Sequence, residues 1–180
     1  MRRPGALAVG LALTVALTVG GCSLVGSSAT PKTTNTAASA LSALVPTYSA
    51  PLDAATAKTG TVRTADAIQA LIAQTEIVHV AGTSKLVAAT KSAAAFYGVE
   101  RTVSTTKGFD TIDQGNAMEK LLVEAGWTER LTSTTTTGYS AQLTVNTSYG
   151  TAALLLHTDQ SPGVAPIVLI ELASPDLPKK

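Results

Sequence analysis

A single cysteine, Cys22, is all that the chain offers for disulfide chemistry, so no intramolecular bridge can form and the fold must stand on burial alone. Histidine is nearly as scarce. His79 and His157 are the only two, far apart, with no H-E-x-x-H motif and no cysteine partners, which leaves no spacing suited to zinc. Basic residues form no cluster or stripe: 13 Lys and Arg stand against 12 Asp and Glu. That balance excludes the electrostatic footprint of a nucleic-acid binder and the polybasic segment that holds an anionic membrane surface. Long hydrophobic runs are missing too. The uncharged stretch Ala6 to Val19 makes roughly 21 Å of helix at about 1.5 Å per residue, short of the ~30 Å hydrocarbon core that a spanning helix must cross. Gly-rich phosphate loops and a G-x-S-x-G nucleophile turn are absent, and aromatics make up 4% of the chain.

What is present at the start is an export signal in three parts. Arg2 and Arg3 supply the positive charge, Ala6 to Val19 the apolar segment, and small residues follow. The twin arginines lie at the extreme N-terminus before Pro4-Gly5, without the flanking residues of twin-arginine export, so passage in the unfolded state is expected. Val19-Gly20-Gly21-Cys22 resembles the lipobox of bacterial lipoproteins: an aliphatic residue, two small residues, then cysteine. The resemblance implies cleavage after residue 21 and a mature chain that begins with an N-palmitoyl, S-diacylglyceryl Cys22. It also implies that this lipid anchor holds the protein to the cell membrane on its extracytoplasmic side. One acyl chain binds a bilayer only marginally, whereas two or more anchor stably.

From Ser23 to Leu52 the only charge is Lys32, and Ser, Thr, Ala and Pro predominate, so residues 22–63 read as a lipidated cysteine and a disordered, low-complexity tether. Ala37 to Val45 is the one stretch there with helical character. The Thr-rich run from Thr30 to Thr34 suits a plain spacer, or O-linked sugars where the machinery exists. Residues 64–174 are then a single domain of ordinary size, and 175–180 a tail. Thr64 is expected to cap a helix with Ile68, Leu71 and Ile72 on its inner face. Glu76 to Ala81 reads as a strand ending at Gly82. Ser84 to Tyr97 is expected as an alanine-rich helix with Leu86, Ala89, Ala93 and Phe96 inward, the alternative being an opening strand that forms a hairpin across Gly82-Thr83-Ser84. Val99 to Thr105 alternates as a strand.

The clearest helix runs from Thr111 to Ala125, with Asp110 or a Thr111–Gln114 box at its start and Met118, Leu121, Leu122 and Ala125 as its buried stripe. Gly126 and Trp127 suit a Schellman stop. Four strands follow: Trp127 to Thr135, Tyr139 to Asn146, Thr151 to His157 and Pro166 to Leu172. The second alternates cleanly, with Tyr139, Ala141, Leu143 and Val145 on one side. The last two are almost wholly apolar and should be central. Together these make an α+β two-layer domain, with helices on one face of a mainly antiparallel sheet that ends in a four-stranded meander.

Motifs that carry chemistry are few. Ser104-Thr105-Thr106-Lys107 fits S-x-x-K and Lys58-Thr59-Gly60 fits K-T-G, but their order is reversed for the serine β-lactamase pattern, the S-D-N element is missing and the domain is too short. Asp110 and Asp113 suit helix capping better than acid–base work. Asn146-Thr147-Ser148 matches a glycosylation sequon and reads as a turn. His79, His157 and Asp159 are the remaining polar candidates, and no catalytic residue, cofactor or metal site is assigned. A non-enzymatic envelope lipoprotein that binds a protein or glycan neighbour is expected. A carrier of lipid or a small apolar ligand, and an envelope hydrolase, are the alternatives.

Overall fold

The computed structural model describes residues 34–179; Cys22 and the leader lie outside the described residues. Helix α1 (Thr34–Ala43) and helix α2 (Ala54–Gln69) precede a short 3₁₀ turn (Gln74–Glu76). Strands β1 (Ile77–Val87) and β2 (Phe96–Thr105), helix α3 (Thr111–Glu124), then β3 (Thr128–Thr134), β4 (Gly138–Thr147), β5 (Gly150–Asp159) and β6 (Ile167–Ala173) complete the chain. The six strands form one antiparallel sheet in the order β1-β2-β6-β5-β4-β3. Helices α2 and α3 pack against it, giving the α+β two-layer architecture, and the apolar strands β5 and β6 are indeed its centre. Among the described residues no helix is long and apolar enough to cross a membrane.

Alternation decides which face the helices cover. Tyr97, Val99 and Val103 of β2, Val168, Ile170 and Leu172 of β6, Ala152, Leu154 and Leu156 of β5, and Tyr139, Ala141, Leu143 and Val145 of β4 are all buried. Their partners are Ile68 of α2, Ile72 just beyond its end, and Met118 and Leu122 of α3. Each such aliphatic side chain contributes about 1.5–3 kcal/mol relative to exposure, so this single layer supplies most of the driving force. Two larger polar groups of the layer are partnered, while the buried Thr64 hydroxyl is not. The Tyr139 hydroxyl donates to the Glu119 carboxylate of α3, and burial first, then that carboxylate, push the phenol above the ordinary tyrosine range. Arg101 of β2 reaches Asp66 of α2 through both Nε (3.3 Å) and a terminal nitrogen (3.1 Å).

The packed domain begins well before Thr64. Asp53, not Thr64, starts α2: its carboxylate accepts from the Ala55 and Thr56 N–H groups at 2.9 Å, and the Thr56 hydroxyl accepts from the Asp53 N–H. Leu44, Leu52 and Ala57 are core residues, so the segment expected as tether is folded onto the domain from α1 onward. Trp127 fixes it there: the buried indole N–H donates to the Leu44 carbonyl at 2.9 Å. The Schellman stop forms as expected. Trp127 N–H bonds the Leu122 carbonyl and Gly126 N–H that of Val123, both at 3.0 Å, with Gly126 at φ +109°. The 175–180 tail is also partly bound, for Leu177 N–H donates to the Ala95 carbonyl at 2.7 Å.

Two further expectations are corrected. There is no helix over residues 84–97. β1 continues through Gly82 to Val87 and pairs Leu86 with Tyr97 and Val87 with Phe96, so the alanines of residues 88–95 fall in the hairpin connection. Cross-strand pairing of aromatic and β-branched residues outweighs alanine's helix preference. Gly82 does not end the strand; it makes room for Arg101, since a Cβ there would stand 2.5 Å from the Glu100 carbonyl and 3.0 Å from Arg101 Cδ. In α3, Asp110 is the N-cap and Gln160 accepts from the Thr111 N–H, while Gln114 turns away to the Leu71 carbonyl and Leu121 is exposed.

Thr64 sits inside α2, fully buried, and its hydroxyl has no hydrogen-bond partner. A buried unpaired hydroxyl costs free energy that valine would not. Thr64→Val is expected to stabilise the domain by about 1 kcal/mol, read from the urea midpoint. A capping role would give a loss instead.

Candidate binding face

The strand residues that alternate with the core point to the other side of the sheet, where no described helix lies. Here small, polar and charged side chains stand beside the half-buried apolar Phe96, Leu155, Ile167 and Leu169. In register across β2, β6, β5 and β4 run Gly98, Ala173, Ala153 and Thr144. The adjacent row, beginning on β1, runs Thr83, Glu100, Glu171, Leu155 and Gln142. These two rows line a cleft of about 440 Å³. Its floor is the small-residue row, and Phe96 and Lys85 stand at the β1–β2 side. Arg130 stands at the β3 side, its Nε donating to the Thr144 hydroxyl at 2.9 Å.

The most unusual pairing in the sheet lies in this cleft. Glu100 and Glu171 are direct cross-strand partners on adjacent inner strands, both exposed, with like charges side by side. Direct like-charge neighbours destabilise a sheet, and no fold requirement calls for two carboxylates there. A cleft with an apolar floor, a carboxylate pair midway and a cation at either end can hold a ligand by shape and by charge. It contains no nucleophile set against a base.

The residues singled out by sequence fall elsewhere. His79 and His157 share this face, but β2 and β6 lie between their strands, so they do not meet. Asp159 accepts from the Ser161 N–H at 2.8 Å; that serine, through its hydroxyl and its N–H, holds the carboxyl below the usual aspartate range, and His157 adds to the effect. The serine therefore bonds the carboxylate directly, not through an imidazole, which is the wrong order for a charge-assisted nucleophile. Asp110 is consumed by capping at 3.0 and 3.1 Å, with Asp113 exposed in the same turn. Lys58-Thr59-Gly60 lies mid-helix in α2 and Ser104 within β2, so neither forms the arrangement its pattern needs. Asn146-Thr147 leads into the β4–β5 turn, where the Thr147 hydroxyl donates to the Gly150 carbonyl.

Among the described residues no group of three or more His, Cys, Asp or Glu is placed to hold a metal ion. Sequence reasoning missed Glu100, Glu171, Lys85 and Arg130. One signal was available: Glu171 interrupts the otherwise apolar run Ile167 to Ala173. Comparison with protein-family models, curated proteins and solved structures finds no match to this chain.

Because the Glu100–Glu171 juxtaposition opposes folding, Glu171→Gln is expected to raise stability by roughly 0.2–1 kcal/mol. A higher urea midpoint that converges with the parent's in high salt identifies like-charge repulsion as the cause.

Proposed function

We propose that the protein is a lipid-anchored module of the cell envelope that binds a partner on its helix-free sheet face without transforming it. The observation that carries this reading is the cleft itself: a small-residue floor in an uncovered sheet, beside a carboxylate pair that folding does not need. Attachment is through Cys22, whose lipobox setting supports acylation, and the domain faces the extracytoplasmic side. The occupant is a protein or glycan neighbour in the envelope. Glu100, Glu171, Gln142, Lys85 and Arg130 offer charge and hydrogen bonds around an apolar floor, which suits a ligand of mixed character.

A second reading, a carrier of a small apolar ligand, has one observation in its favour, the apolar Ala153, Ala173 and Leu155 in the cleft lining. Against it, the large aliphatics Leu156 and Ile170 of the central strands belong to the core packed under the helices. Organic extraction of purified protein followed by mass spectrometry separates the two: a near-stoichiometric lipid favours the carrier.

Crosslinking in intact cells followed by mass spectrometry tests the main reading. Neighbours are expected on Lys85, and the N-terminal peptide is expected to carry lipid on Cys22. Cys22→Ser should release the protein from the membrane fraction. Retention of Cys22→Ser protein after leader removal would contradict the anchoring.

A further inference from the structure

The sheet has two edges, and they are built differently. β3 is short, broken by an irregularity between Glu129 and Leu131, and charged at that break by Glu129 and Arg130. These are devices that stop one sheet from adding to another. β1 has eleven residues and runs in unbroken register with β2 from His79 to Val87. Lys85 is its only lysine or arginine, and Val80 and Leu86 are exposed at 37% and 50%. It is a long edge left open.

The direction of its free backbone groups follows from bonds on the far side of β2. Ser174 N–H bonds the Tyr97 carbonyl and Thr105 N–H bonds that of Pro166, so odd-numbered residues of β2 bond toward β6. Even-numbered residues of β2 therefore bond toward β1, and their register partners, the odd-numbered residues of β1, turn inward. Val80, Gly82, Ser84 and Leu86 direct their N–H and C=O groups outward, without partners among the described residues.

We infer that β1 is a self-association edge: two copies of this chain pair their β1 strands antiparallel about a two-fold axis at Thr83, joining their sheets into one. That register sets Val80 opposite Leu86 of the second copy and Gly82 opposite Ser84, so each outward donor meets an outward acceptor and apolar side chains meet apolar ones. Isologous pairing needs a self-complementary patch of this kind. Charge selects the same register. Lys85 falls opposite Ala81 of the second copy, whereas an axis moved to Lys85 would place the two lysines face to face. The helices of both copies then lie on one side. The two clefts, each lined by Thr83 and Lys85, lie on the other side on either flank of the seam. This inference is independent of what the cleft binds.

Thr83→Cys in the full chain tests it. Residue 83 would face itself in a non-hydrogen-bonded pair with Cα atoms about 4.5 Å apart, within disulfide reach. Mild oxidation of the membrane-attached protein should give a covalent dimer on a non-reducing gel, above any background that the parent shows through Cys22. Ala81→Cys alone should give none, while Ala81→Cys mixed with Lys85→Cys should cross-link. Adding Ser84→Pro to Thr83→Cys removes an outward N–H but no bond to β2, and should lower the dimer yield roughly tenfold or more with the urea midpoint unchanged. Absence of a Thr83→Cys dimer, equal cross-linking at Ala81→Cys, or a yield insensitive to Ser84→Pro would overturn the pairing.

Discussion

Everything in this domain depends on one six-stranded sheet burying one face only. Two helices, α2 and α3, supply the cover, and β2, β4, β5 and β6 bury Val99, Val103, Leu143, Val145, Leu154, Leu156, Val168, Ile170 and Leu172 on that side. The opposite side is thereby released from packing. It carries glycine, alanine, threonine and paired glutamates beside the half-buried Leu155, Ile167 and Leu169. A sheet of this type packs one face on the core and leaves the other solvated.

The cover is anchored more extensively than a two-helix description suggests. Trp127 serves three ends at once: its N–H closes the α3 Schellman stop, its ring fills the core, and its indole N–H binds the Leu44 carbonyl. That last bond converts the chain before α2 from a spacer into part of the domain, with Leu44 and Leu52 buried alongside.

Much of this was legible in the sequence, and what was not has definite physical causes. The meander and α3 were readable because their period-two and 3.6-residue patterns coincide with strong local signals at Asp110, Gly126 and Trp127. The β1–β2 hairpin was obscured because alanine and serine dominate its connection, and local propensity there points to a helix that cross-strand pairing overrides. Leu44 and Leu52 lie in Ser/Thr-rich surroundings without a sustained apolar period, and the Trp127 bond that holds the Leu44 carbonyl comes from 83 positions away. The cleft was invisible for a different reason. Glu100 and Glu171 are 71 positions apart in sequence, and only strand register makes them neighbours.

The central claim is that the helix-free face is the working surface. Carbodiimide labelling of carboxylates, compared between intact cells and purified protein, addresses it directly. Glu124, exposed on α3 away from that face, is the internal reference. In purified protein all three glutamates should label readily. In cells the account predicts that Glu100 and Glu171 are protected while Glu124 labels as before. Equal labelling of Glu100 and Glu171 in both settings would contradict it.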